Sequence, residues 1–229
     1  MAISFVAASA VVTGANPTIA IPAGYAEGDL LIIVNTNGGP VTGTPATPTG
    51  WTQRYAQGNS EFITILTKYA SSTETSVSLS VTPTTNKAVM LCYRGAGSYD
   101  VISTIASGSG TTATTNTQTT TYANDYVISI FSRNNSGGGS SSFTVPAGTT
   151  SRVNSLSTPA VMGMLVVDEL QATAGLTTAR SSTITSGFWS AIAISFVPTR
   201  TLYWVGGTGT WNTTTTGNWA TSGRCCWTT

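Results

Sequence analysis

Histidine is absent from this 229-residue chain. Ser-His-Asp triads, Cys-His pairs and imidazole metal ligands are therefore all excluded. Eight carboxylates remain as candidate acids, bases or cation ligands: Glu27, Asp29, Glu61, Glu74, Asp100, Asp125, Asp168 and Glu169. Asp168 and Glu169 are adjacent, and Glu27 and Asp29 nearly so. Two-carboxylate glycoside hydrolysis needs its groups about 5–9.5 Å apart across one cleft. Neighbours on a strand point to opposite faces, so Asp168 and Glu169 cannot flank one bond. No Asp-x-Asp-x-Asp loop offers a calcium site. Cys92 sits in the apolar run AVMLCY and reads as a buried thiol, while Cys225 and Cys226 have no zinc-site spacing. The expectation is a protein that is not an enzyme, with no catalytic residue, no metal and no cofactor.

The tryptophans offer a different chemistry. A sugar ring lays its apolar face on an aromatic side chain while neighbouring polar groups hold its hydroxyls. Trp51 with Arg54, and Trp204, Trp211 and Trp219, are the candidate contacts for a partner or a glycan. Trp189 could serve as well. The competing reading for Trp51 and Trp189 is burial between sheets, and it is the reading preferred here.

The elements that must position these groups are strands. Helical periodicity is nearly absent. Short runs rich in β-branched and aromatic residues are bounded by Gly, Pro, Asn and Thr. Strands are expected near 3–8, 18–21, 29–36, 51–57, 61–69, 75–81, 87–94, 117–122, 125–132, 149–155, 160–168 and 187–197. In EFITILTKY, residues 61–69, Phe62, Thr64, Leu66 and Lys68 should face one way, and Ile63, Ile65, Thr67 and Tyr69 the other. In TSVSLSV, Val77, Leu79 and Val81 should face inward. ASGSGTTATTNTQTTT, residues 106–121, reads as a low-complexity polar linker or edge segment, and NNSGGGSSS, 134–142, as a flexible loop.

One pattern occurs twice. Asp29 opens an apolar run that leads to PTGWTQR (48–54), and Asp125 opens another that leads to PAGTTSR (146–152); both turns match Pro-x-Gly-x-Thr-x-Arg. AVMLCYRG (88–95) then answers AIAISFVP (191–198). The aspartates read as strand starts, because Asp favours turns through bonds to nearby backbone N–H groups. Arg54 and Arg152 read as exposed strand residues or as partners of the Asp carboxylates. The expected fold is all-β: an antiparallel jelly-roll-like β-sandwich built from two similar β units over 1–198, plus a short C-terminal β extension, 199–229. The extension cannot bury itself alone and should dock on the body, oligomerise or join a partner's sheet.

Bulk composition limits the partners. Nine basic residues face eight acidic ones, and charged residues make up only 7% of the chain, against about 25% in ordinary soluble domains. No basic face exists for nucleic acid. No run approaches the length of a membrane span. The start MAISFVAASAVV lacks a basic region, so no secretory signal is expected. So neutral a surface suits a chain packed beside its neighbours.

PAGYAEGDLLIIV, PTGWTQR, TKYA and AVMLCYRG together resemble a β-sandwich module of bacteriophage structural proteins. The matching residues are Pro22, Ala23, Gly24, Gly28, Asp29, Leu30 and Leu31; then Pro48, Gly50, Trp51 and Thr52; then Lys68, Tyr69, Tyr93, Arg94 and Gly95. YWVGGTGTWN resembles an aromatic–glycine motif of phage fibre and surface-repeat proteins. The resemblance implies a virion structural protein on the virion surface, a capsid decoration or head-fibre component, contacting other virion proteins, capsid or tail. It also implies a homo-oligomer, a trimer above all. The alternative from another class is a tail-fibre or adhesin module binding host surface glycans.

Overall fold

The computed structural model describes residues 2–38, 45–57, 61–81, 86–134, 143–156 and 162–199, together with the backbone pairing of 203–204 and 219–220. Among them every regular element is a strand. In chain order the first unit holds β1 (Ser4–Ala8), β2 (Val12–Thr13), β3 (Thr18–Ile19), β4 (Leu30–Gly38), β5 (Thr52–Gln57), β6 (Glu61–Tyr69), β7 (Val77–Ser78) and β8 (Asn86–Arg94). The second holds β9 (Ala96–Ile102), β10 (Ala106–Thr114), β11 (Thr119–Thr120), β12 (Asp125–Asn134), β13 (Thr150–Ser155), β14 (Met162–Gln171), β15 (Gly175–Leu176) and β16 (Ser181–Pro198). β17 (Tyr203–Trp204) and β18 (Trp219–Ala220) form a separate antiparallel pair.

The large sheets have the same plan. One runs β1-β8-β4-β6-β5, with β2 also on β8; the other runs β10-β16-β12-β14-β13, with β9 also on β16. Each unit adds a two-stranded sheet, β3-β7 in the first and β11-β15 in the second. Within the first unit the opening strand lies beside the closing one, and β3 lies beside β7. That is the wound order of a jelly roll. The winding thus sits inside each unit, and the units then face each other through their large sheets.

Register makes the duplication residue-specific. Leu30 stands opposite Tyr93 and Tyr69; Tyr126 stands opposite Phe196 and Leu170. Leu30 therefore corresponds to Tyr126, Tyr93 to Phe196 and Thr67 to Asp168. The repeated Asp residues fall one position before, Asp29 just ahead of β4 and Asp125 at the first residue of β12.

Both faces of the central strands are buried, which is why β4 and β12 read as continuous apolar runs. Ile32, Val34, Ile63, Ile65, Val89 and Leu91 meet Ile128, Ile130, Met164, Val166, Ile192 and Ile194 in the core shared by the two units. The opposite face of the first sheet packs Leu31, Ile33, Leu66 and Met90 under Ile19, Leu79 and Val81. The second sheet has a smaller outer cluster of Phe131, Leu165, Val167, Phe143 and Ile184. Fully burying each such aliphatic side chain contributes about 1.5–3 kcal/mol. The alternation expected in EFITILTKY holds: Ile63 and Ile65 lie in the shared core, Leu66 in the outer cluster.

Strands β2, β9 and β15 lie outside the expected list. Of the stretch read as a linker or edge segment, residues 106–114 take the second alternative as β10, the edge strand along β16. The NNSGGGSSS loop lies outside the described residues except for Asn134, which ends β12.

Candidate functional site

The ionisable groups gather in three places. The first is the turn ahead of each central strand. Gly28 and Asn124 occupy corresponding positions and both take positive φ, 84° and 64°. In the first unit the Asp29 carboxylate accepts from the Ala26 N–H (2.8 Å) and from Arg94 Nε (3.0 Å) and Nη2 (2.8 Å). Burial pushes this carboxyl up, but the Arg94 hydrogen bonds, the Ala26 N–H and the Arg94 charge outweigh it and hold the group below its ordinary value. Cys92 Sγ lies 3.7 Å from the same carboxylate, and burial with that negative charge pushes the thiol up to about 12, so it is unreactive. The second unit has Val197 where the first has Arg94. There Asp125, fully buried, hydrogen-bonds Asp100, whose Oδ2 also accepts from the Thr121 N–H (2.8 Å). Burial pushes the Asp100 carboxyl up, but the Asp125 hydrogen bond and the Thr121 backbone and side-chain donors outweigh it and hold the group below its ordinary value.

The second place is the inter-sheet space, apolar at its centre and polar at both ends. At one end Asp168 Oδ2 accepts from Tyr93 Oη (2.9 Å) across the interface and from Arg152 Nε (2.7 Å). Arg54 Nε donates to Thr67 Oγ1 (2.9 Å), at the position corresponding to Asp168. Both arginines sit where the edge strand slips register, between Gln53 and Tyr55 and between Ser151 and Val153. The bulge turns each side chain inward. The contacts across the interface are reciprocal: Arg54 lies over the Tyr99 ring (5.0 Å) and Arg152 over the Phe5 ring (4.4 Å). At the other end Ser190 Oγ donates to the Glu61 backbone carbonyl (3.0 Å), and Lys87 Nζ donates to Ser155 Oγ (2.8 Å). Burial pushes the Glu61 carboxyl up to about 9, so it stays protonated at neutral pH.

The third place is an open cleft on the outer face of the first unit, about 250 Å³, between the Pro48–Trp51 turn and the stretch Glu74–Ser78. The turn is closed by Trp51 N–H to Pro48 O (3.1 Å), with Gly50 at φ 83°. Trp51 is 8% exposed and otherwise packs in the outer cluster. Lys68 Nζ pairs with Glu74 Oε2 at 2.7 Å along the side.

The residues singled out in the sequence are thus dispersed. Trp51 faces outward and Arg54 inward, so they do not build one site. Arg54 and Arg152 are buried-side anchors, and neither pairs with Asp29 or Asp125. Asp168 and Glu169 take opposite faces: Asp168 points into the interface and Glu169 outward to Arg180. Trp189 packs against the second outer cluster and beneath Gly108. Trp211 lies outside the described residues. Trp204 and Trp219 are described in backbone only, paired opposite each other. The cleft residues Lys68 and Glu74 went unrecognised as a pair, since a contact between a strand and the following loop leaves no spacing pattern.

No protein-family model, no curated protein and no solved structure matches this chain.

Proposed function

We propose that the protein is a bacteriophage virion structural protein, a capsid decoration or head-fibre component displayed on the particle and assembled as a homo-oligomer. The observation that carries this reading is where the charge goes. Of nine basic and eight acidic residues, four of each are tied up in the ion pairs Lys68–Glu74, Arg94–Asp29, Arg152–Asp168 and Arg180–Glu169. Glu61 and Asp125 are buried as well. The rest of the described surface is rich in Thr, Ser, Asn and Gly, with single exposed apolar side chains such as Leu170, Leu176 and Phe188 and the acid Glu27. Such a surface sits beside other copies with little electrostatic repulsion. The residues carrying the phage-module resemblance also fall on architectural positions: the lead-in to β4, the turn before β5 and the end of β8.

The test is attachment. Purified chain mixed with heads of the phage that encodes it should co-sediment and saturate at a copy number set by capsid symmetry, with matching density on the capsid surface. Density at the tail tip would replace this reading with the fibre one. No co-sedimentation, with the chain missing from purified virions by mass spectrometry, would overturn it. Light scattering should report a trimer mass; a monomer at all concentrations would remove the oligomer.

A further inference from the structure

The duplication allows one unit to be read against the other. At the Pro-x-Gly turn of the second unit, the Arg180 guanidinium covers the turn. Its Nη1 donates to Ala147 O (2.9 Å) and stands 3.5 Å from the place a Cβ on Gly148 would occupy. Glu169, at the position corresponding to Lys68, holds that guanidinium by two hydrogen bonds. In the first unit Lys68 lies over the corresponding turn, its Cε 3.8 Å from the place a Cβ on Gly50 would occupy. Its ammonium turns to Glu74, and beside the turn a cleft stays open. The lysine is shorter than the arginine arrangement of the other unit and carries no fork of donors, so it leaves this cleft unfilled.

We propose that the open cleft binds one ring of a neutral saccharide. The polar wall is made of hydroxyls from Thr49, Thr75 and Ser76, with the Lys68 ammonium as a fixed donor. Glu74 cancels the charge of Lys68 and is itself held by the Ser71 N–H and Oγ (both 2.7 Å), so the cleft has no net charge to attract an anion. Pro48 and the exposed part of Trp51 supply a small apolar contact. Donors, acceptors and one apolar edge without net charge match a polyhydroxylated ring and not a phosphate, which calls for several unpaired cations. The volume, about 250 Å³, lies below the roughly 300–1,000 Å³ of sites for drug-sized ligands. It suits a single ring, the terminal residue of a glycan, at an affinity of about millimolar.

This inference goes beyond the architectural reading and does not depend on it. The experiment is saturation-transfer NMR of the full chain with glucose, galactose, mannose, rhamnose and N-acetylglucosamine, each alone, alongside inorganic phosphate. At least one sugar should show transfer, with phosphate silent. Ser76→Arg, which places in this cleft the side chain that covers the other, should weaken binding at least tenfold with an unchanged melting temperature. Thr49→Ala should weaken it severalfold and serves if Ser76→Arg fails to fold. Silence of all five sugars, a phosphate response in their place, or undiminished binding by the folded variants would each overturn the proposal. Head co-sedimentation of Ser76→Arg should stay at the wild-type level, which separates failure here from failure of the virion assignment.

Discussion

Asp29 and Glu61 are each nearly sealed from solvent, at 3% and 1% exposure, yet their protonation acts on stability with opposite signs. Asp29 meets a guanidinium, so its folded value lies below the unfolded one. Its contribution is complete above the ordinary carboxylate range and is lost as pH falls through the folded value. Arg94→Ala should therefore lower the melting temperature at neutral pH and reduce the acid sensitivity of unfolding, read by thermal scans from pH 7 to pH 2. Among the described residues Glu61 has no cation partner, and burial raises its folded value to about 9 against the lowering Asn134 hydrogen bond. The unfolded chain releases this proton near pH 4.5 while the folded chain keeps it, so stability falls as pH rises through that window. Glu61→Gln should be neutral near pH 4 and stabilising by about 3 kcal/mol at pH 7, since each pH unit between the two values is worth about 1.4 kcal/mol. Denaturant titrations at the two pH values check this; equal gains at both would mean Glu61 is already ionised in the fold. Asp168 has a third character. Removing it as Asp168→Ala strands the Tyr93 hydroxyl and the Arg152 guanidinium together, an expected loss of about 3 kcal/mol in the same titrations.

At the scale of elements, the most readable feature is the pair of Pro-x-Gly turns. Gly50 and Gly148 hold φ at 83° and 79°, where an added Cβ costs about 1–2 kcal/mol. Gly50→Ala and Gly148→Ala should each lose that amount, and losses equal within error would show that the two units carry the same turn; a neutral result at either would place that turn outside the repeat. The strands β4, β6, β8, β12 and β16 were legible because both faces are buried and their apolar runs are long. β10 was hidden because ASGSGTTAT carries almost no apolar alternation; it becomes a strand by lying along β16, with the Trp189 ring closing over Gly108. The roles of Arg54 and Arg152 were hidden for another reason. A one-residue bulge flips a side chain from the outside to the inside. Nothing in Thr-x-Arg marks where the slip occurs. The repeated arginines were visible from the start, but their destination was fixed only by the register of the edge strand.

At the scale of the molecule, the bulges form a pattern. Register shifts occur in the edge pairings of β1, β5, β9, β10 and β13, while β4 and β12 pair on both sides without one. Bulged edges accept an added strand poorly, so contacts between copies should run through faces and turns and not through continued sheets. Each unit meets the other through an extended apolar face of its large sheet. The contacts are mutual, Arg54 on Tyr99 and Arg152 on Phe5, and Phe5 and Tyr99 occupy corresponding positions opposite Tyr93 and Phe196. A second copy of the first unit could then supply Phe5 where the second unit supplies Tyr99. The fragment 1–95 should fold as a dimer through the face lined by Ile32, Val34, Ile65 and Leu91. Light scattering should give twice the fragment mass, and Ile32→Asp should dissociate it. A stable, well-folded monomer of 1–95 would show that each unit completes its core alone and that the shared interface is dispensable.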